Sequence, residues 1–362
     1  MYSEPLAERY VAIVAREIDS WQGIEAEVGV EPSTSARSVD TIYFGGGTPS
    51  LLSPAQIETL ISAVRNRFSV TGDVEITMEM NPGTVTPETL SDFRELGVNR
   101  ASFGAQTFDD SELARLGRSH TAADTRRTFS QLRAAGFDNV SLDLIAGLPG
   151  QTLAGWQRNL DEVFALRPDH LSFYLLEVHQ GTPLAEHIRR GLQPTPDEDL
   201  ATEMYEVMLD RAVETGYVHY EISNLSLPGF ESRHNTKYWT GAPYYGFGCS
   251  SHSYDGASRR WANERDIGQY VNLIETERSA IVDLQKLTED DRRAEAVFLG
   301  LRMMSGVNVE QYRNLFGLDL QVEHGSDLER FREAGLVEFQ GPLMKLTRSG
   351  ALLSNEVFAA FV

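Results

Sequence analysis

From Thr41 to Leu176, short apolar runs alternate with longer amphipathic segments. Thr41–Phe44, Val74–Glu79, Asn99–Gly104, Val140–Ile145 and His170–Leu176 have the length and composition of strands. Between them, Pro54–Phe68, Pro87–Leu96, Asp109–Leu116, Ala122–Ala135 and Leu153–Ala165 space their apolar residues as helices do. Ser53 and Thr86 stand as N-caps before Pro54 and Pro87, and Gly136 closes the fourth helix. Five such alternations with short connections predict an α/β fold. Its sheet is parallel with helices outside, either doubly wound or closed toward a (β/α) barrel. No short repeat period suggests a solenoid.

The flanking segments predict more helix. Glu4–Ser20 carries Leu6, Tyr10, Ile13, Val14 and Ile18 at helical spacing, whereas Gly23–Ser38 is polar and reads as a loop. Beyond the alternation, Leu200–Glu214 reads as a helix and Tyr217–Ile222 as a strand. Leu287–Met304 reads as a long helix capped by Thr288, and Asn308–Phe316 and Leu328–Ala334 as short ones. Leu336–Phe339 and Leu343–Thr347 flank Gln340-Gly341-Pro342 as a hairpin, giving a winged-helix-like end to the chain. The expected domains are a core over residues 1–216, a connecting region over 217–285 and a C-terminal domain over 286–362.

Charge narrows the partners. With 53 acidic against 32 basic residues the net charge is −21, which repels nucleic acid and anionic lipid. The winged-helix-like end is therefore expected to lie on the core or cover its pocket. No apolar stretch is long enough for a transmembrane segment and no signal-peptide pattern is present, so a cytoplasmic location is expected. The one cysteine, Cys249, excludes an internal disulfide and reads as a small core residue.

Chemistry gathers where the strands end. Thr41–Phe44 runs into Gly45, Gly46 and Gly47, then Thr48 and Pro49, which bares backbone to an approaching ligand. G-G-G-T-P-S lacks the third glycine of a dinucleotide fingerprint. Glu79 ends the second strand, Gln106 follows the third, Asp143 lies within the fourth, and Arg118 follows a short helix. In a parallel barrel these converge on one rim. Two carboxylates for ribose hydroxyls or an ammonium, an amide and a guanidinium fork suit a zwitterionic, sugar-bearing ligand. Each one alone more often serves as a strand-end cap or a surface ion pair, Asp143 least so, because a carboxylate between Leu142 and Leu144 needs partners.

Farther on, Arg233-His234-Asn235-Thr236-Lys237-Tyr238-Trp239 sets a histidine beside two aromatics. This spacing fits a packed His–aromatic cluster, or a porphyrin site with His234 as axial donor and Tyr238 and Trp239 as apolar faces. His252 and Tyr254, in the glycine-rich Gly246–Tyr254 loop, can border the same cavity. His120 and His179 read as surface or supporting residues.

Together these motifs resemble the radical S-adenosylmethionine proteins of the oxygen-independent coproporphyrinogen III oxidase group, and within it the HemW-type haem chaperones. The resemblance covers almost the whole chain. It rests on G-G-G-T-P at 45–49, E-M-N-P at 79–82, F-G-A-Q-T-F at 103–108, L-x-R-L-G-R-x-H at 113–120 and D-L-I-A-G-L-P-G-Q-T at 143–152. H-N-T-K-Y-W at 234–239, G-F-G-C-S-S-H-S-Y at 246–254, and E-A-V-F-L-G-L-R-M-M-S-G-V and L-T-R-S-G-A-L-L-S-N-E-V-F near the C-terminus also fit.

The resemblance implies a partial (β/α) barrel binding S-adenosylmethionine through Gly46, Gly47, Thr48, Glu79, Gln106, Arg118 and Asp143. It also implies a haem motif at His234, Asn235, Tyr238 and Trp239, and delivery of haem to an acceptor protein. One departure is large. The family carries C-x-x-x-C-x-x-C after its first barrel strand, holding a 4Fe–4S cluster, and this sequence has no such motif and no metal ligands for it. The first strand and cluster loop are expected to be missing through a misplaced start codon or a truncated gene, rather than in a natural cluster-free homologue. Three functions follow: a haem chaperone; a radical coproporphyrinogen III dehydrogenase, which needs the cluster and is not expected of this chain as it stands; or a cluster-free nucleoside-binding barrel.

Overall fold

The computed structural model describes residues 4–30, 37–276 and 279–362. Its main sheet has seven strands: β1 (Ser38–Phe44), β2 (Ser69–Met80), β3 (Arg100–Gln106), β4 (Val140–Ala146), β5 (His170–Leu175), β6 (Val218–Glu221) and β7 (Asn224–Ser226). Their order is β1-β2-β3-β4-β5-β7-β6. β2 to β5 run parallel, and β7 and β6 add on antiparallel. The sheet curls into a half-barrel in a mixed α/β architecture, followed by a helical C-terminal region.

Register explains why one face of this sheet is chemical and the other is core. Met80, Phe103, Leu142 and Leu171 stand in one row across β2 to β5, and all are buried. The rows on either side of it are polar: Glu79, Ser102, Ser141 and His170 one step before, and Gly104, Asp143 and Ser172 one step after. Successive side chains on a strand point to opposite faces. The apolar rows therefore meet the surrounding helices, and the polar rows line the inside of the curl.

The chain divides into two compact units. One comprises Tyr43–Leu51 and Ile76–Ser232. Its helices Pro87–Glu95, Ala122–Ala134, Leu153–Leu166 and Glu198–Glu214 each bury an apolar stripe. Trp156 shows how one is held: its ring meets Phe173 edge-on at 5.9 Å and its Nε1–H donates to the Met204 carbonyl at 2.8 Å. Each fully buried side chain of this kind contributes about 1.5–3 kcal/mol.

The other unit comprises the described residues of Met1–Ile42, with Leu52–Glu75 and Arg233–Val362. Helices Glu4–Asp19 and Ile267–Thr276 meet through Tyr10 and Tyr270, ring centres 5.7 Å apart. Strands β8 (His252–Tyr254), β9 (Arg259–Asn263) and β10 (Ile281–Lys286) form an antiparallel sheet in the order β10-β9-β8. β11 (Val307–Asn308), β12 (Val337–Gln340) and β13 (Leu343–Leu346) form another, and β12 and β13 make the predicted hairpin.

Several sequence expectations change. Trp21–Val28, mostly inside the predicted loop Gly23–Ser38, is a helix closed by Gly29 at φ +68°. Trp21, Ile24, Glu25 and Val28 are its buried stripe, and Gly23 concealed the period. Residues 31–36 of that predicted loop lie outside the described residues. The predicted helix Leu287–Met304 is shorter, Glu289–Gly300, with Thr288 capping it as expected. β7 was not foreseen, since three residues carry no readable alternation. Arg233–Thr240 is helical.

Candidate functional site

The glycine turn after β1 is held by a carboxylate from β2. Glu79 accepts the Tyr43 hydroxyl on Oε1 at 2.8 Å and the Gly46 amide on Oε2 at 3.0 Å. Gly46 and Gly47 have φ of +76° and +62°, a region that costs other residues energy, and the space around them is open. The Asn81 amide donates to Thr48 Oγ1 at 2.9 Å, tying the G-G-G-T-P and E-M-N-P motifs together. The turn thus presents exposed, braced backbone. One of its amides, that of Gly46, is already committed to Glu79.

Gln106 sits at a bulge where β3 slips one residue against β4, and its φ is +63°. Its side chain folds back over Gly104, where any Cβ would collide with it. Beside Gly104 stands Asp143, partly accessible. Burial pushes its carboxyl up to about 6, against a hydrogen bond from Ser172 and the positive charges of Arg100 and Arg118. Arg118 is exposed, and among the described residues no ion pair or hydrogen bond reaches its guanidinium. It is close enough to Asp143 to be felt there. Glu79, Gln106, Arg118 and Asp143 therefore share the rim of the curl with the glycine turn.

Sequence reasoning missed Arg100. It is 1% exposed, and its Nε has no hydrogen-bond partner. Its charge reaches Tyr43, Asp143 and His170. His170 is held neutral by burial and by Arg100, between Ser141 Oγ at 2.7 Å and the Tyr220 hydroxyl at 2.7 Å. The only signal was a cation at the start of an otherwise apolar strand.

The aromatic motif forms the helix Arg233–Thr240 in the other unit. Buried Glu75 caps its N-terminus, accepting the amides of Arg233 at 3.1 Å and His234 at 3.0 Å. Lys237 pairs with Asp40 at 2.7 Å. The His234 ring is engaged on both sides: Nδ1 is 3.0 Å from Thr41 Oγ1 and Nε2 is 2.9 Å from the Tyr238 hydroxyl. Asn235 lies in the first turn. Tyr238 meets Tyr244 edge-on at 4.6 Å, and the Arg302 guanidinium lies 4.2 Å from the centre of the Trp239 ring.

Tyr238 and Trp239 line a cavity of about 450 Å³ with Tyr244, His252, Arg260 and Trp261. Its aromatic walls and its histidine suit a flat macrocycle carrying a metal. Arg260 at its edge is paired with Glu295 through two bonds, 2.6 and 2.9 Å. A 4Fe–4S cluster does not fit the residues present. Cys249 is the one thiol, engaged with Tyr10, and among the described residues no group of three or more His, Cys, Asp or Glu can hold a metal ion. Among them, too, no helix is long and apolar enough to cross a membrane.

With this geometry in view, the comparisons with known proteins give the class first. The model of the radical SAM superfamily matches residues 22–163, and that of the HemN C-terminal domain matches residues 287–353. The coproporphyrinogen III oxidase HemN of Escherichia coli, described as a radical SAM enzyme, shares the fold at a TM-score of 0.81 and 22% identity, over 100% of this chain and 85% of that one. The chain is 36% identical over 330 residues to the heme chaperone HemW of Bacillus subtilis, covering 91% of this chain and 87% of that protein. It is 34% identical over 352 residues to the heme chaperone HemW of Lactococcus lactis, covering 97% and 92%. The chain belongs to the HemW family.

Proposed function

We propose that this chain is a haem chaperone that takes up haem in the cavity beside Tyr238 and Trp239 and binds S-adenosylmethionine at the half-barrel rim. The observation that carries the reading is that the H-N-T-K-Y-W segment is a capped helix whose two aromatics wall a cavity of about 450 Å³. Tyr244 and Trp261 supply further apolar surface for a porphyrin face. The names of the relatives support haem as cargo, and delivery to a haem-acceptor protein in the cytoplasm completes the proposal.

At the rim, Arg118 is assigned the ligand carboxylate and Asp143 its ammonium or ribose hydroxyls. Gln106 and Thr48 offer mixed donors and acceptors, and Gly46 and Gly47 let the ligand approach backbone. Glu79 serves by fixing the turn. Bound S-adenosylmethionine supplies a sulfonium nucleoside. With one cysteine in the chain, no reductive cleavage is assigned to these residues, and neither is coproporphyrinogen III decarboxylation, which needs the cluster. That same cysteine count favours, as a second reading, nucleoside binding without catalysis.

Titrating the full chain with ferric haem tests the first reading. A saturable Soret shift, weakened in Trp239→Ala, is expected; a spectrum identical to haem in buffer overturns it. Calorimetry with S-adenosylmethionine tests the rim, where Arg118→Ala and Asp143→Ala are each expected to weaken binding.

A further inference from the structure

We infer that the protein ligand to the haem iron is His252, and that His234 is a positioning residue of the same site. The inference rests on the proposed haem uptake and names the atom that would meet the metal.

A histidine that binds iron must offer a ring nitrogen with a free lone pair. His234 does not offer one in this arrangement. Its Nδ1 is bonded to Thr41 and its Nε2 to Tyr238, and its backbone amide is bonded to Glu75. Using Nε2 on iron would break the Tyr238 contact, and using Nδ1 would break that to Thr41. These bonds orient the helix and turn Tyr238 toward Tyr244 at the cavity wall.

His252 meets the requirement. It lies on β8, an edge strand of its sheet, opposite Ala262, where its backbone is fixed by the ladder. Its side chain is exposed and lines the cavity together with Tyr238 and Trp239. Among the described residues no hydrogen bond reaches its ring, and no other histidine lines this cavity. The neighbouring wall residues Tyr244 and Trp261 are apolar-faced and suit a macrocycle beside the imidazole. Asp283, the one acid there, is on β10, at the opposite edge of the sheet from β8.

The experiment is a ferric haem titration of the wild-type chain and of His252→Ala, His252→Gln, His234→Ala and Tyr238→Phe, read by Soret position and electron paramagnetic resonance. His252→Ala and His252→Gln are expected to lose the imidazole-ligated spectrum, and added imidazole is expected to restore it in His252→Ala. His234→Ala and Tyr238→Phe are expected to keep the ligand spectrum with weaker affinity. Circular dichroism of each variant separates lost ligation from lost folding. A wild-type spectrum kept in both His252 variants, or lost in His234→Ala and restored there by imidazole, overturns the assignment while leaving haem uptake standing. No Soret shift in the wild-type chain overturns haem uptake and this assignment together.

Discussion

Glu79 and Gly46 are joined by a hydrogen bond of 3.0 Å between the carboxylate of one strand and the amide of the turn after another. The other oxygen takes the Tyr43 hydroxyl, and burial together with that carboxylate pushes the phenol far above its ordinary pKa. Glu79 thus holds the loop against which the proposed ligand would rest. Glu79→Gln keeps one acceptor oxygen and presents an amide donor to another donor. S-adenosylmethionine affinity is expected to fall by about tenfold or more, roughly the worth of one charge-assisted hydrogen bond. Tyr43→Phe should be milder. Calorimetry at neutral pH checks both, and a Glu79→Gln affinity equal to wild type refutes the bracing role.

Asp143 gives the rim a pH dependence. Its carboxyl, raised by burial to about 6 from the usual 3.8, binds a proton more tightly folded than unfolded. The stability of the free protein is therefore expected to decline as pH rises from about 4 to about 6, then level off. Ligand binding runs the other way, because an ammonium or ribose needs the ionised form, so affinity should drop below pH 6. Arg100 helps hold this carboxyl down. Arg100→Met is expected to move the binding midpoint above 6, and Asp143→Asn to abolish it. Calorimetry across pH 5 to 8 reads both shifts.

The strands of the half-barrel were legible because their outer faces are apolar and their ends carry glycine or polar residues. The rim set was suggested because Glu79 and Gln106 sit at the C-terminal ends of successive parallel strands and Asp143 lies within the next. Roles were harder. Nothing near Glu79 in sequence says that its partner is Gly46, 33 residues back. Glu75 caps a helix 158 residues away, which no local pattern encodes. Arg100 is a lone cation at the start of its strand, and nothing beside it in sequence encodes its burial. His234 was singled out by its aromatic neighbours, yet those neighbours include the hydroxyl that engages its ring.

A second buried carboxylate should govern stability rather than binding. Glu17, 2% exposed, accepts the Tyr270 hydroxyl at 2.6 Å, the Gly248 amide at 2.8 Å and the Asn263 side-chain amide at 2.5 Å. Burial pushes it up to about 7 despite these donors. With a folded pKa above the unfolded one, its contribution is greatest below about pH 4.5 and is lost as pH rises to about 7. Glu17→Ala orphans three donors and is expected to cost about 3 kcal/mol or more. Urea melts at pH 5 and 8 check the cost and the slope.

The cavity edge offers a test of charge. Arg260 lines the cavity, but its guanidinium fork is matched by Glu295, whose own carboxyl is raised by burial in spite of the pair. A propionate approaching Arg260 would compete with that partner. Glu295→Gln removes the competing charge and frees the fork for a bidentate carboxylate contact. Haem affinity is expected to rise by about three- to tenfold at low salt and to return toward wild type as salt screens the exposed contact. A porphyrin with esterified propionates should show no gain. If Glu295→Gln tightens the esterified and free-acid porphyrins alike, the change acts through cavity shape, and Arg260 is not a latent propionate site.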